Sequence, residues 1–141
     1  MKKIIVSVVL IVLLSSFYQV PTVSLTGTWQ YVGDIFNGKT EGAPTAYNLQ
    51  RHYDDVHFEA DVIEKGYDPQ KYETGIYSLK DDSCYETQTW CGQESKLLNV
   101  TVHYHYRISN DTLTLQGVLP NGQQVEEYWK RVKPVSKSAI F

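Results

Sequence analysis

Arg51 is the residue whose placement demands most of this chain. It shares a parity with Tyr47 and Leu49 in the stretch Ala46 to Tyr53, so one continuous strand would aim all three side chains at the same face. A guanidinium on a dry face needs an anion, because an unpaired buried charge costs several kcal/mol. Glu73 or Glu127 could supply that anion internally, or a ligand carboxylate could, as in a fatty-acid carrier. A position at a strand end would instead leave Arg51 in water at the mouth of the fold. Phe58, Tyr77, Tyr104 and Tyr106 fall on the apolar parity of their own stretches. Phenols join a large apolar area to a polar tip, so this set suits a molecule with an apolar body and a polar group. These five residues are the candidate ligand-binding set, and an interior filled by its own side chains is the competing outcome.

Other chemistry-bearing residues promise less. His103 and His105 lie two apart on one strand face, a spacing at which two imidazoles can share a metal. That face is polar and no Asp or Cys ligand stands nearby in sequence, so neither a metal nor a cofactor is expected. Cys84 and Cys91 would form a disulfide by compartment alone if the chain is exported. Were residues 84 to 91 one straight strand, however, seven steps of about 3.3 Å would part their Cα atoms by about 23 Å, against the roughly 4.4–6.8 Å that a bridge allows. The pairing therefore requires a turn within Tyr85 to Trp90 and stays open. No Gly-rich phosphate loop, Gly-x-Ser-x-Gly, His-Glu-x-x-His or Cys-x-x-Cys occurs, and catalysis is not expected. The adjacent carboxylates Asp54-Asp55 and Glu126-Glu127 would point to opposite faces of a strand and could not act across one substrate.

The elements that must carry these residues are strands. Eleven Tyr, three Trp and four Phe stand against a single Met, a loading that suits pleated surfaces. The clearest alternation runs from Leu98 to Ile108, with Leu98, Val100, Val102, Tyr104, Tyr106 and Ile108 on one parity and Asn99, Thr101, His103, His105 and Arg107 on the other. Similar stretches are Thr26 to Val32, Ala46 to Tyr53, Val56 to Ile63, Tyr72 to Leu79, Tyr85 to Trp90, Thr112 to Leu119 and Gln123 to Val132. Turn-length links such as Asn110-Asp111 and Pro120-Asn121-Gly122 join several of them. Eight short sequential strands predict an all-β, up-and-down antiparallel barrel whose closure removes exposed edges. A two-sheet sandwich is the alternative, because alternation reports faces and not closure. The expected interior is Tyr47, Leu49, Phe58, Ala60, Val62, Tyr77, Leu79, Val100, Val102, Tyr104, Tyr106, Leu113 and Leu115.

Residues 1–20 stand apart. Lys2 and Lys3 precede an uncharged run from Ile4 to Leu14 and then Ser15 and Ser16. This is the pattern of a cleaved signal peptide, too short for a spanning helix, with cleavage expected between Ser16 and Val20. No Cys lies there for lipid attachment. Residues 21–141 are then one exported domain, periplasmic or extracellular, whose formal charge falls from −3 to −5 with the loss of the two lysines. Nucleic-acid binding is disfavoured for want of a basic face, Lys130, Arg131 and Lys133 being the densest basic group.

Leu25-Thr26-Gly27-Thr28-Trp29 resembles the Gly-x-Trp signature that opens the first strand of lipocalins and lipocalin-like calycins. Gly75 to Leu79, Glu86 to Thr89, Asn110 to Leu115 and Glu127 to Val132 are similar, in order and spacing, to small secreted bacterial lipocalin-like domains. The resemblance implies that Trp29 packs at the closed end of the barrel against a basic side chain of the last strand, Arg131 or Lys130, by cation–π stacking worth about 0.5–2 kcal/mol. It also implies a monomer that carries a small apolar or amphipathic molecule, which calls for a cavity of about 300 Å³ or more. A side-chain-filled barrel that binds a protein partner through exposed aromatics such as Tyr67, Tyr72 and Trp90 is the expectation from a different class.

Overall fold

The computed structural model describes residues 23–134. The signal segment and its cleavage point lie outside the described residues. Nine strands follow one another: β1 Gly27–Phe36, β2 Lys39–Gly42, β3 Asn48–Tyr53, β4 His57–Ile63, β5 Gln70–Lys80, β6 Ser83–Cys91, β7 Thr101–Ser109, β8 Thr112–Val118 and β9 Gln124–Val132. Every pairing is antiparallel between neighbours, and β1 also pairs with β9 from Thr28 opposite Val132 to Phe36 opposite Val125, which closes the barrel. The sandwich alternative is thereby excluded.

The ninth strand corrects the expected count. β1 runs four residues past Val32 and turns back through Asn37-Gly38, with φ of 47° and 81°, the left-handed pair of a tight two-residue hairpin. β2 then lies along the upper part of β1, while β3 lies along its lower part, at Gly27 to Gln30. The second stave of the barrel is therefore split by residues 43–47, and Tyr47 belongs to that excursion, 39 % exposed, not to the interior. A bulge at Val32 falls between Tyr31 opposite Trp129 and Gly33 opposite Tyr128. It shifts the parity of β1, so that Asp34 and Phe36 face inward beyond Trp29 and Tyr31. Gly33, at φ 144°, permits the bend, since a Cβ there would stand 2.6 Å from the Glu41 carbonyl oxygen.

One end is sealed as the resemblance implied. Trp29 is fully buried and its indole N–H donates to the Leu25 carbonyl at 2.8 Å. The Arg131 guanidinium stacks 4.1 Å above the Trp29 ring and donates to the Thr26 carbonyl, whereas Lys130 points to solvent. Leu25, Trp29, Tyr53, Phe58, Leu113 and Leu115 form the core around this end. Of the expected interior, Phe58, Ala60, Tyr77, Val102, Tyr104, Tyr106, Leu113 and Leu115 are buried, and Leu49, Val62, Leu79 and Val100 partly so. Leu98 is not in β7: it is 45 % exposed within the 92–100 loop, where Asn99 takes φ 59° and Leu97 turns toward the core instead.

Candidate functional site

The middle of the barrel is charged. Arg51 is only 7 % exposed, on the inward parity that the alternation of β3 assigns. Its Nη1 donates to Glu86 Oε2 at 3.0 Å and to the Tyr53 hydroxyl at 3.2 Å, and Nη2 donates to Glu73 Oε1 at 3.3 Å. The Tyr53 hydroxyl in turn donates to Glu86 Oε1 at 2.6 Å. The guanidinium lies 4.9 Å from the centre of the Phe58 ring and 4.8 Å from that of Trp129. The water-exposed placement at a strand end is thus overturned, and a ligand carboxylate is not needed, because carboxylates of β5 and β6 already hold the charge. Glu73 is among the two partners expected from sequence. Glu127 contributes to the same field and accepts from the Trp129 indole at 3.0 Å, and Glu86, on β6, is a partner the sequence reading did not name.

Burial sets the acid–base character of the cluster. Burial by itself would lower the Arg51 pKa, but Tyr53, Glu86 and Glu73 outweigh it and push it above the ordinary value. Burial holds the Glu127 carboxyl above the usual carboxylate range, only partly offset by Arg51 and the Trp129 indole. Burial also pushes the Tyr72 phenol up to about 12 and raises Tyr104, with Glu127 and Glu86 adding to it. Two buried side-chain polar atoms have no hydrogen-bond partner among the described residues, Asp34 Oδ1 and Arg51 Nε.

Above this cluster, Phe58, Glu73, Glu86, Gln88, Leu97, Val100, Val102 and Tyr104 line a small pocket of about 20 Å³, room for about one water molecule. This volume falls far short of the 300 Å³ or so expected of a preformed ligand cavity, and Arg51, Tyr53, Phe58, Tyr104 and Trp129 are all buried in the interior. Larger hollows lie outside, such as one of about 450 Å³ lined by outward residues including His52, Glu59 and Thr74. Leu97 and Val100 of the 92–100 loop form one side of this pocket. Ser95 bonds the Gln88 amide, the Asn99 N–H donates to the Gln88 carbonyl at 2.7 Å, and Leu97 packs on the core.

The five candidate ligand residues are thus divided. Arg51, Phe58 and Tyr104 meet in the charged region. Tyr77 and Tyr106 sit lower, their hydroxyls donating to the backbone carbonyls of Asp54 and Asp81. Tyr72 is not an exposed aromatic but half-buried beside the cluster, whereas Tyr67 and Trp90 are exposed. Cys84 and Cys91 are both free, at the two ends of an unturned β6, so the straight-strand geometry prevails over the compartment argument. Burial raises the Cys84 thiol pKa, and Glu86 adds to the rise, leaving it a poor nucleophile. His103 stacks on Tyr85 and bonds Ser83, His105 pairs with Asp82, and no group of three or more metal-binding side chains occurs among the described residues.

No protein-family model matches the chain, and no curated protein matches it. Solved structures do. A lipocalin-like protein from Bacteroides uniformis superposes with a TM-score of 0.54 at 16 % identity, over 77 % of this chain and 98 % of that one. A redesigned β-barrel gives 0.44 at 18 % identity over 77 % and 92 %, and a variant of the fluorescent protein UnaG gives 0.39 at 12 % over 78 % and 97 %. With β1 closed on β9 around a Trp29–Arg131 seal, and with the Bacteroides protein matched over nearly its whole length, the chain has the lipocalin-like fold of a closed eight-staved barrel.

Proposed function

We propose that this is an exported, monomeric, non-catalytic binding protein that takes a small molecule into the polar half of its barrel, beneath the 92–100 loop. One observation carries the reading: a barrel with a well-sealed lower core keeps Arg51, Glu73, Glu86 and Glu127 in its middle. Replacing a buried ion network by well-packed apolar side chains is often neutral or stabilising, by about 1–4 kcal/mol, so the fold alone gives little reason for the charges. Binding requires Leu97 to lift, because the cavity beneath it holds about 20 Å³. Export is supported by the Lys2-Lys3 and Ile4 to Leu14 pattern.

The small cavity favours a second reading, a self-filled scaffold that meets a protein partner through Tyr67 and Trp90, which are 72 % and 46 % exposed. Native mass spectrometry of the protein purified from its exporting cell separates the two. A co-purified small mass supports the binding reading, and its loss on deletion of the 92–100 loop from an otherwise folded barrel places it under that loop. A bare chain together with a saturable protein complex that requires Trp90 supports the scaffold. The intact mass also reports where the leader is cut.

A further inference from the structure

We infer that the molecule this interior takes is a small organic ammonium compound, an inference that rests on the binding reading above. The argument is a balance of charge. Asp34 and Glu127 face each other across the β1–β9 pair on the inward side, and Glu73 and Glu86 lie opposite inward residues Ala60 and Val102. Against these four carboxyl groups, Arg51 is the single cation in this part of the barrel among the described residues, since Arg131 is occupied at the sealed end by Trp29 and Thr26. Even with Asp34 and Glu127 left out of the count, Glu73 and Glu86 outnumber the guanidinium that they share.

The distribution of hydrogen bonds points the same way. Glu86 is fully engaged by Arg51 and Tyr53, but among the described residues Glu73 accepts only from Arg51, through Oε1. Glu73 lines the cavity together with the Tyr104 ring, the Phe58 ring and the Gln88 amide. Independently, Asp34 Oδ1 is buried with no donor, and Arg51 Nε is buried with no acceptor, in a side chain more than nine-tenths covered. An incoming ammonium meets carboxylate oxygen in a place walled by aromatic faces, which themselves favour cations. A second polar atom on the same molecule, a hydroxyl or carbonyl oxygen, would meet the orphan Nε–H. A carboxylate ligand meets the opposite situation, a net negative interior whose one guanidinium is already bonded to two acids.

The test is a titration of the full mature chain, labelled with 15N, by three analogues of one shape: 2-phenylethylammonium, 2-phenylethanol and 3-phenylpropanoate, at fixed pH and ionic strength. The ammonium compound is expected to bind at least tenfold tighter than the alcohol, a difference of about 1.4 kcal/mol, and the carboxylate least of all. The shifted amides should include Glu73, Gln88, Leu97 and Tyr104. Glu73→Gln should cost the ammonium compound at least tenfold and leave the alcohol unchanged, and its folding is checked on the same spectra. If the alcohol or the carboxylate binds as tightly as the ammonium compound, with the same amides shifted, the charge assignment fails while interior binding stands. If all three leave the interior amides unmoved, both fail. The three-analogue comparison on the unmodified chain needs no variant to fold.

Discussion

Removing Arg51 while leaving its acids is the sharpest perturbation of this barrel. Arg51→Met keeps a long apolar stem between the Phe58 and Trp129 rings, so little packing is lost. What disappears is the counter-charge for Glu86, whose side chain is 6 % exposed, and for Glu73, at 18 %. Breaking a buried pair from one side costs about 3–5 kcal/mol, because the remaining charge is left uncompensated, and here two carboxylates are stranded together. Against the 5–15 kcal/mol stability usual for a domain, that is a large share. At about 4 °C per kcal/mol for a domain of this size, the melting temperature should fall by about 12–20 °C. Urea unfolding should show a lower midpoint at unchanged slope. Adding Glu73→Gln and Glu86→Gln to Arg51→Met removes the stranded charges and should recover most of the loss. A loss under about 1 kcal/mol for the single variant would mean that water screens the cluster as at a surface. The interior would then not be the low-dielectric place on which the ligand argument depends.

Trp29→Ala removes the indole that Arg131 covers and Leu25 bonds, and should cost about 3–5 kcal/mol in a thermal or urea melt. Glu127→Gln keeps an acceptor for the Trp129 indole but removes a carboxyl whose folded pKa is raised above 4.5 by burial. In the native protein this group takes up protons on folding, so its cost is absent below about pH 4.5 and grows as pH rises to the folded pKa. The variant should therefore be the more stable at neutral pH, and the difference should vanish in melts at pH 4. Gly75→Ala would place a Cβ 2.5 Å from the Phe58 ring and against the Thr87 carbonyl, an overpacking expected to cost about 1–3 kcal/mol by urea titration. Tyr104→Phe removes one hydroxyl from a ring that lines the small cavity. It should leave the melting temperature nearly unchanged, and weaken by about 0.5–1.5 kcal/mol, in isothermal titration, a polar-headed ligand that touches it.

How far alternation carries the reading of this chain depends on which strand is asked. In β7 it places Val102, Tyr104 and Tyr106 inward without error, because the strand is regular and its two faces differ sharply in polarity. In β1 it stops at Val32, because a bulge exchanges the faces and Asp34 takes the inward side that a straight strand would give to Gly33 and Ile35. β2, the stretch Lys-Thr-Glu-Gly, is exposed throughout and has no apolar face to detect, although Asn37-Gly38 before it is a strong hairpin signal.

The site divides along the same line. The parity of Arg51 is readable from Leu49 beside it, but the parity that joins Cys84, Glu86 and Gln88 looks like a polar outer face until Glu86 is seen opposite Val102. A guanidinium reconciles the two. Its faces behave as an apolar plate against Phe58 and Trp129, so β3 keeps an apolar parity. Its edge donates only in its own plane, and the acids must come from strands that reach that plane, β5 through Glu73 and β6 through Glu86. Glu86 is therefore inward because Arg51 is, a dependence between strands 35 residues apart that no period within either strand can express.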